Sequence, residues 1–473
     1  MDNHSTRAGT ATAGRSVAIV GAGITGLTAA FRLHQAGIPV TVYEASHRVG
    51  GVIQSLRQGG YLAEFGPNSL LETSNRITQL LREAGLEPRL LHSDPAAENR
   101  YLVRWRRPVR MPTSPPGFFT CELFSWRAKL ALLREPFLPR RTDPTEETVA
   151  DFVLRRLNRE FLDYAINPLI AGIYAGDPAR LSVQHGFPRL AALEARYGSL
   201  IKGQIFGAKD RRRRGEVSKQ EARKLSFDEG LQVLPDTLAA RLGTALRLKT
   251  PVTVLESIPD GWRVHTSPTE QEQTSEHTAV LLAAPAYRLA EIEVRSPAGV
   301  DLAPLGQIHY PPVASVVLGF DRDQVSHPLD GFGMLIPQAE GFRILGTLFS
   351  SSLFPYRAPS GQVTLTSYVG GTRAPDLALL PHDELVSLTL ADLRVLLGVT
   401  GEPTFAHSVH YPRAIPQYEL GYGRFKDLMS AAETQAPGLF FAGHYRDGIS
   451  LSDSILSALA IADRIQTHLT TPS

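Results

Sequence analysis

A chain of 473 residues with 43% hydrophobic and 20% charged residues has the balance of a globular protein and is too long for one core, so two or three domains are expected. Its 49 Lys and Arg against 47 Asp and Glu leave a net charge of +2, which excludes an overall electrostatic footprint for nucleic acid. The single cysteine, Cys121, excludes an internal disulfide and a cysteine-based zinc or iron-sulfur site, and a reducing, cytoplasmic compartment fits it best.

Residues 1–14 are small and polar and read as a disordered leader without the apolar core of a secretion signal. Ser16–Val20 is a short apolar run of the kind that makes a buried parallel strand, Thr25–Ala36 has helical spacing and is stopped by Gly37, and Pro39–Tyr43 is a second strand ending on Glu44. Further on, Phe152–Ala165 and Pro188–Tyr197 read as helices, and Pro251–Leu255 and Trp262–Thr266 as strands around a Pro-Asp-Gly turn. Val313–Phe320, Phe342–Leu348 and Val363–Val369 add strands, Ile449–Ile465 closes the chain as a helix, and Arg211–Arg214 is a basic run placed in a loop. No stretch reaches the roughly 18 apolar residues that would cross a bilayer.

The motif GAGITG places Gly21, Ala22, Gly23, Ile24, Thr25 and Gly26 between a strand and a helix, where backbone amides and the helix N-terminus meet a pyrophosphate. Glu44, followed by Ala45, lies about twenty residues further on, where a carboxylate accepts hydrogen bonds from a ribose and disfavours the extra phosphate of NADP. Arg48, Gly50 and Gly51 in HRVGG supply a second loop, and Gly66, Pro67, Asn68 and Ser69 follow in EFGPNS. At the far end, GHYRDGISLS sets Gly443 after a strand and Ile449, Ser450, Leu451 and Ser452 at the start of the last helix, where helix amides can meet the oxygens of the same ligand. Val252 is a further candidate contact of the cofactor.

The HRVGG extension and the C-terminal segment resemble the FAD enzymes that include amine oxidases and desaturases. The stretches EFGPNS, NRYLV, SPPGFFTCELFSWRAKLALLREPFLP, INPLIAGIYAGDPARLSV, LEARYGSLIKG and SFDEGLQVLPDTLA resemble, within them, the protoporphyrinogen oxidase family. The resemblance implies an α/β (α+β) architecture with a Rossmann-like FAD-binding domain over 15–90, 227–290 and 413–473. It also implies a sheet-based substrate domain over 91–114, 205–226 and 291–412 and a helical, membrane-associating domain over 115–204.

For function, the resemblance implies non-covalent FAD and the oxygen-consuming, six-electron oxidation of protoporphyrinogen IX to protoporphyrin IX in haem synthesis, with hydrogen peroxide as by-product. Arg100 in NRYLV matches the family's propionate-binding arginine, and a guanidinium grips a carboxylate in bidentate fashion. Phe332 and Leu335 in GFGMLIP match residues that sandwich the ring system, and Gly172 matches a close approach to substrate. As bare residues, Arg100 also fits a surface cation, Phe332 and Leu335 core positions, and Gly172 a helix C-cap.

No Ser-His-Asp set or paired acids stand out, so no proton acceptor is named and no metal is expected. Phe118, Phe119, Leu123, Phe124, Trp126, Leu130 and Leu133, beside Arg127, Lys129 and Arg134, form an apolar stripe that fits either a membrane interface or packing onto its own helices. Arg211–Arg214, with Lys219, Arg223 and Lys224, fits attraction to anionic lipid or a solvated loop. The resemblance also admits hand-over of product to a chelatase, and a monomer or a homodimer. Coproporphyrinogen III as substrate, a flavin amine oxidase or desaturase, and a non-enzymatic escort protein on the same fold are the competing readings.

Overall fold

The run Val17–Val20 is apolar throughout because it becomes the central strand of a parallel sheet covered on both faces. The computed structural model describes residues 15–141, 143, 145–213, 222–267 and 273–471. In it the sheet is ordered Leu246–Arg247, Val40–Tyr43, Val17–Val20, Ala279–Leu282, Leu439–Phe441, with every neighbour parallel. The loops at the carboxyl ends of these strands therefore share one edge, which is where ligands of open α/β sheets bind. Helix Ile24–Gln35 and the last helix, Leu451–Thr470, pack side by side on one face, with Leu27, Phe31, Ile455 and Ile465 in a common core.

A second sheet of seven strands is ordered Phe405–Tyr411, Val313–Asp321, Gln362–Gly370, Ile344–Leu348, Gly331–Leu335, Asn99–Arg104, Arg107–Arg110. One of its faces is closed by helix His382–Leu397, whose Leu385 and Leu393 pack with Val316, Leu318 and Leu365. The other face meets the hairpin that bears Tyr61 and Phe65, and the helical region through Leu102 and Leu335. A three-stranded sheet of Leu70–Glu72, Arg223–Phe227 and Leu90–His92 bridges the two layers. Strand Arg223–Phe227 crosses the expected domain boundary at 226/227, and helix Leu200–Arg213 crosses the one at 204/205, because each element packs as a unit.

The helical region departs from its sequence reading. In place of one helix over Phe152–Ala165, Val149–Arg156 ends, Asn158 accepts from the Phe161 amide at 3.0 Å to start a new turn, and a π-turn at Leu162–Ile166 leads into Asn167–Tyr174. A strong N-cap and Pro168, which lacks an N–H, break the ladder that apolar spacing alone would continue. The buried Glu135 and Arg156 pair with each other at the centre of this region. Glu135 also accepts from Ser199 Oγ at 2.6 Å and the Leu200 and Ile201 amides at 2.8 and 3.2 Å, capping the next helix. Burial pushes the Glu135 carboxyl up, but those donors and Arg156 outweigh it and hold it below the usual range.

The apolar stripe divides: Leu123 and Phe124 are buried, whereas Trp126, Leu130 and Leu133 are exposed, as is Phe137 beyond the stripe. Lys129 is buried too, donating to the carbonyls of Phe119 and Cys121 at 2.8 and 2.6 Å. Arg211–Arg213 continue helix Leu200–Arg213, correcting the loop assignment, since a helix already begun extends readily through arginine. The leader, Arg214 and Lys219 lie outside the described residues. Among the described residues no helix is long and apolar enough to cross a membrane.

Candidate active site

The turn after Val17–Val20 has the shape its glycines require. Gly21 has φ of 104°, and a Cβ there would meet the Ala284 amide at 2.9 Å; a Cβ on Gly26 would sit 1.9 Å from the Gly21 carbonyl. Gly26 thus sets the close contact of helix and strand. A Cβ on Gly23 would meet nothing within 4 Å, and Gly23 caps helix Ile24–Gln35 with no side chain on the first-turn amides and no acid among them. An open cradle facing an uncapped helix N-terminus is what a pyrophosphate needs.

Glu44 stands at the carboxyl end of the neighbouring strand and accepts from the Ala22 and Ser46 amides at 2.7 and 2.8 Å, so its carboxylate shapes the turn. Ala45 is exposed beside it. Val252 follows Thr250, whose amide donates to the Glu44 carbonyl at 2.8 Å. Arg48 is spent on the backbone, donating to the carbonyls of Val49 and Ile53 at 3.1 and 3.0 Å and to that of Gly51. The Gly50 amide donates to the Ala22 carbonyl at 2.9 Å, so the two glycine loops lie against each other.

The chain's two ends meet here. A Cβ on Gly443 would lie 3.8 Å from Thr25 Oγ1, across the shared strand edge. Ser450 caps helix Leu451–Thr470 with its side chain accepting from the Asp453 amide at 3.2 Å, and Ile449 packs between the core of the parallel sheet and the helical region. The buried Ser452 hydroxyl is used by Leu71, donating to its carbonyl at 2.6 Å and accepting from its amide at 3.2 Å. Both hydrogen-bonding directions of the hydroxyl are thus used within the chain.

The loop Gly66–Ser69 joins this edge to the seven-stranded sheet. Gly66 passes so close to Val52 that a Cβ would be 2.1 Å from its carbonyl, Pro67 and Ser69 are partly exposed, and Asn68 donates to the Tyr368 hydroxyl at 2.6 Å, which in turn donates to the Gly66 carbonyl at 3.2 Å. Burial raises the Tyr368 pKa, so it remains a neutral donor. Ser315, opposite Tyr368 in register, has a buried hydroxyl with no hydrogen-bond partner among the described residues. An orphan hydroxyl there is available to a ligand.

Leu335 lies opposite Leu102, and Arg100 opposite Gly333, on one face of that sheet. Gly172 is inside helix Asn167–Tyr174, with Ala175 as the left-handed cap, so it is not a helix C-cap; a Cβ on it would collide with Leu335 Cδ2 at 2.5 Å. Helix and sheet thus close on each other at Leu335. Phe332 is the extra residue of a β-bulge between Gly331 and Gly333, and the bulge turns its partly exposed ring toward Leu91, Ala97 and Phe354.

Motif reading missed several residues. Tyr368 and Ser315 carry no local signal. His444, next to Gly443, has Nε2 3.5 Å from the Tyr310 hydroxyl, and burial lowers its pKa to about 4, so it is neutral at pH 7. Burial pushes the Glu64 carboxyl up to about 7 against the pull of Arg357, Ser55 and the Leu231 amide. Arg357 lies 3.6 Å from Glu64 and ties the hairpin to the second sheet.

The model of the flavin containing amine oxidoreductases matches residues 24–466, nearly the whole span of both sheets. The chain belongs to that family. Protoporphyrinogen oxidase 2, chloroplastic/mitochondrial, of Arabidopsis thaliana is 36% identical over 97% of this chain and 95% of its own length. Coproporphyrinogen III oxidase of Bacillus subtilis is 29% identical over 96% and 98%. Among solved structures, one from Exiguobacterium sp. 255-15, provisionally named a protoporphyrinogen oxidase, superposes with a TM-score of 0.80 at 24% identity, covering 96% of this chain and 99% of its own. The cofactor of this oxidoreductase is FAD, and the open Gly23 cradle, the uncapped helix and Glu44 fit it.

Proposed function

We propose that the protein oxidises protoporphyrinogen IX to protoporphyrin IX in haem synthesis, with dioxygen as the final acceptor. The observation that carries the reading is the sheet face where Arg100, Leu102 and Leu335 line up beside helix Asn167–Tyr174: an apolar wall with a cation at one edge. A porphyrinogen is a wide apolar macrocycle with carboxylates on one side and needs such a surface. The near full-length similarity to enzymes named for porphyrinogens supports it.

Bound FAD supplies two-electron oxidation, passed on to dioxygen as hydrogen peroxide, and three rounds give the conjugated porphyrin. The cradle Gly21–Gly26, Glu44, the Arg48–Gly51 loop, Gly66–Ser69 and the turn from Gly443 to Ser452 hold it. The lone Cys121 lies in the helical region, which supports non-covalent attachment. Leu335 and Gly172 press helix against sheet and exclude water from the wall. Tyr368 and Asn68 fix the loop between cofactor and substrate.

The exposed Trp126, Leu130, Leu133 and Phe137, with Ile205 and Phe206, support docking of the helical region on the cytoplasmic membrane face. Flavin absorbance and porphyrin fluorescence test the whole reading: purified protein with releasable yellow FAD is mixed in air with protoporphyrinogen IX or coproporphyrinogen III, each against an enzyme-free control. Faster porphyrin formation from the first is the expected result. Preference for the second makes this the coproporphyrin enzyme, and no acceleration of either removes the porphyrinogen reading.

A further inference from the structure

Two cations that are 124 positions apart in sequence, Arg100 and Lys224, are brought to the same corner of the sheet face, one opposite Gly333 and the other over the ring of its neighbour Phe332. Arg100 lies opposite Gly333, where no side chain competes for the space. Lys224 comes from the bridging strand Arg223–Phe227, pinned by its pairing with Leu71 and by the Ser93 amide, which donates to its carbonyl at 3.0 Å. Its Nζ lies 5.7 Å from the centre of the Phe332 ring, the residue that the bulge turns out of the ladder.

Among the described residues neither cation makes an ion pair within 4 Å, whereas neighbouring Arg223 is taken by Glu72 at 2.6 Å. Burial and Arg100 lower the Lys224 pKa, with the Glu98 carboxylate pulling against them. Two like charges at one corner, one of them over an aromatic face, oppose each other in the free protein, and an anion bound between them relieves that repulsion. The pattern differs from a solvated lipid-binding run, since Lys224 leans on the ring next to the substrate wall.

We propose that Lys224 is a second carboxylate-binding residue of the substrate site, acting with Arg100 to hold the paired propionates of a porphyrinogen while Phe332 carries the adjoining pyrrole. This rests on the porphyrinogen reading. It makes the Arg100–Lys224 corner the carboxylate end of the site and leaves the Leu335 and Gly172 wall to the apolar edge of the macrocycle.

The test compares wild-type holoenzyme with Lys224→Gln and Lys224→Arg, each checked for full FAD content. The readouts are KM and kcat for whichever porphyrinogen the wild type oxidises, and the affinity of the porphyrin product for the resting enzyme from its fluorescence. Lys224→Gln should raise KM and weaken product binding about tenfold with kcat changed less than about twofold, and Lys224→Arg should restore most of both. A Lys224→Gln enzyme with wild-type KM and wild-type product affinity overturns this assignment while the porphyrinogen reading stands. A loss in kcat that Lys224→Arg does not restore, with KM unmoved, overturns it as well. A wild type that oxidises neither porphyrinogen removes the parent reading and this one together.

Discussion

The two halves of the site are built from different materials. At the nucleotide end, glycines, helix amides and the single carboxylate of Glu44 define the surface, and the contacts are nearly all main chain. At the proposed substrate end, the surface is made of side chains: Leu335, Phe332, Tyr368 and Arg100 on the seven-stranded sheet, whose register decides where each one points, and Lys224 on the bridging sheet. A backbone site tolerates almost no added atoms and is intolerant of change at its glycines. A side-chain site changes by degrees, so substitutions there should tune binding without unfolding the domain.

The widest separation should come from Gly26→Val, because any Cβ there falls 1.9 Å from the Gly21 carbonyl. We expect a loss of about 4 kcal/mol or more and protein that purifies without flavin absorbance; yellow, stable protein would show that this backbone can yield. Next is the helical wall that supports the substrate end. Arg156→Leu leaves the Glu135 charge buried without its partner and should cost about 3–5 kcal/mol in urea denaturation. The sign with pH follows from the lowered Glu135 pKa: its stabilisation is present above the pKa of an unfolded glutamate and is lost as pH falls through the folded value. Arg156→Leu should therefore move the acid unfolding midpoint to higher pH, and an unmoved midpoint would assign acid unfolding to other carboxylates.

Glu44→Ala removes the acceptor of two amides and the proposed ribose contact together and should weaken FAD by about 1.5–3 kcal/mol, measured by titrating stripped protein with FAD. The smallest effect belongs to the side-chain end. Arg100→Ala should raise KM about fivefold to tenfold while FAD content stays complete. Loss of FAD in that variant would blur the division between the two halves, and unchanged KM would remove Arg100 from the site.

The nucleotide end was legible in the sequence because its parts are contiguous. A strand, GAGITG and a helix are one local unit, and an acid twenty residues later completes it, so pattern and structure coincide from Val17 to Glu44. Roles were less legible even there: Arg48 and Ser452 turned out to be committed to carbonyls of their own chain. At the substrate end, resemblance supplied Arg100, Phe332 and Leu335, but not how they are held. Apolar periodicity over Phe152–Ala165 could not show the Asn158 cap or the π-turn, because hydrophobic spacing is blind to where backbone hydrogen bonds change partner.

By itself, then, the sequence determined the glycine turns, the acid that follows them, and the strand and helix periods, since these depend on φ angles and side-chain spacing over a few residues. Tertiary structure decided that Tyr368 closes on Asn68 across 300 positions, that Leu335 fills the space above Gly172, and that a bulge puts Phe332 under Lys224. Those contacts are set by sheet register and by which layers meet. A one-residue shift in either would turn the same side chains to the opposite face.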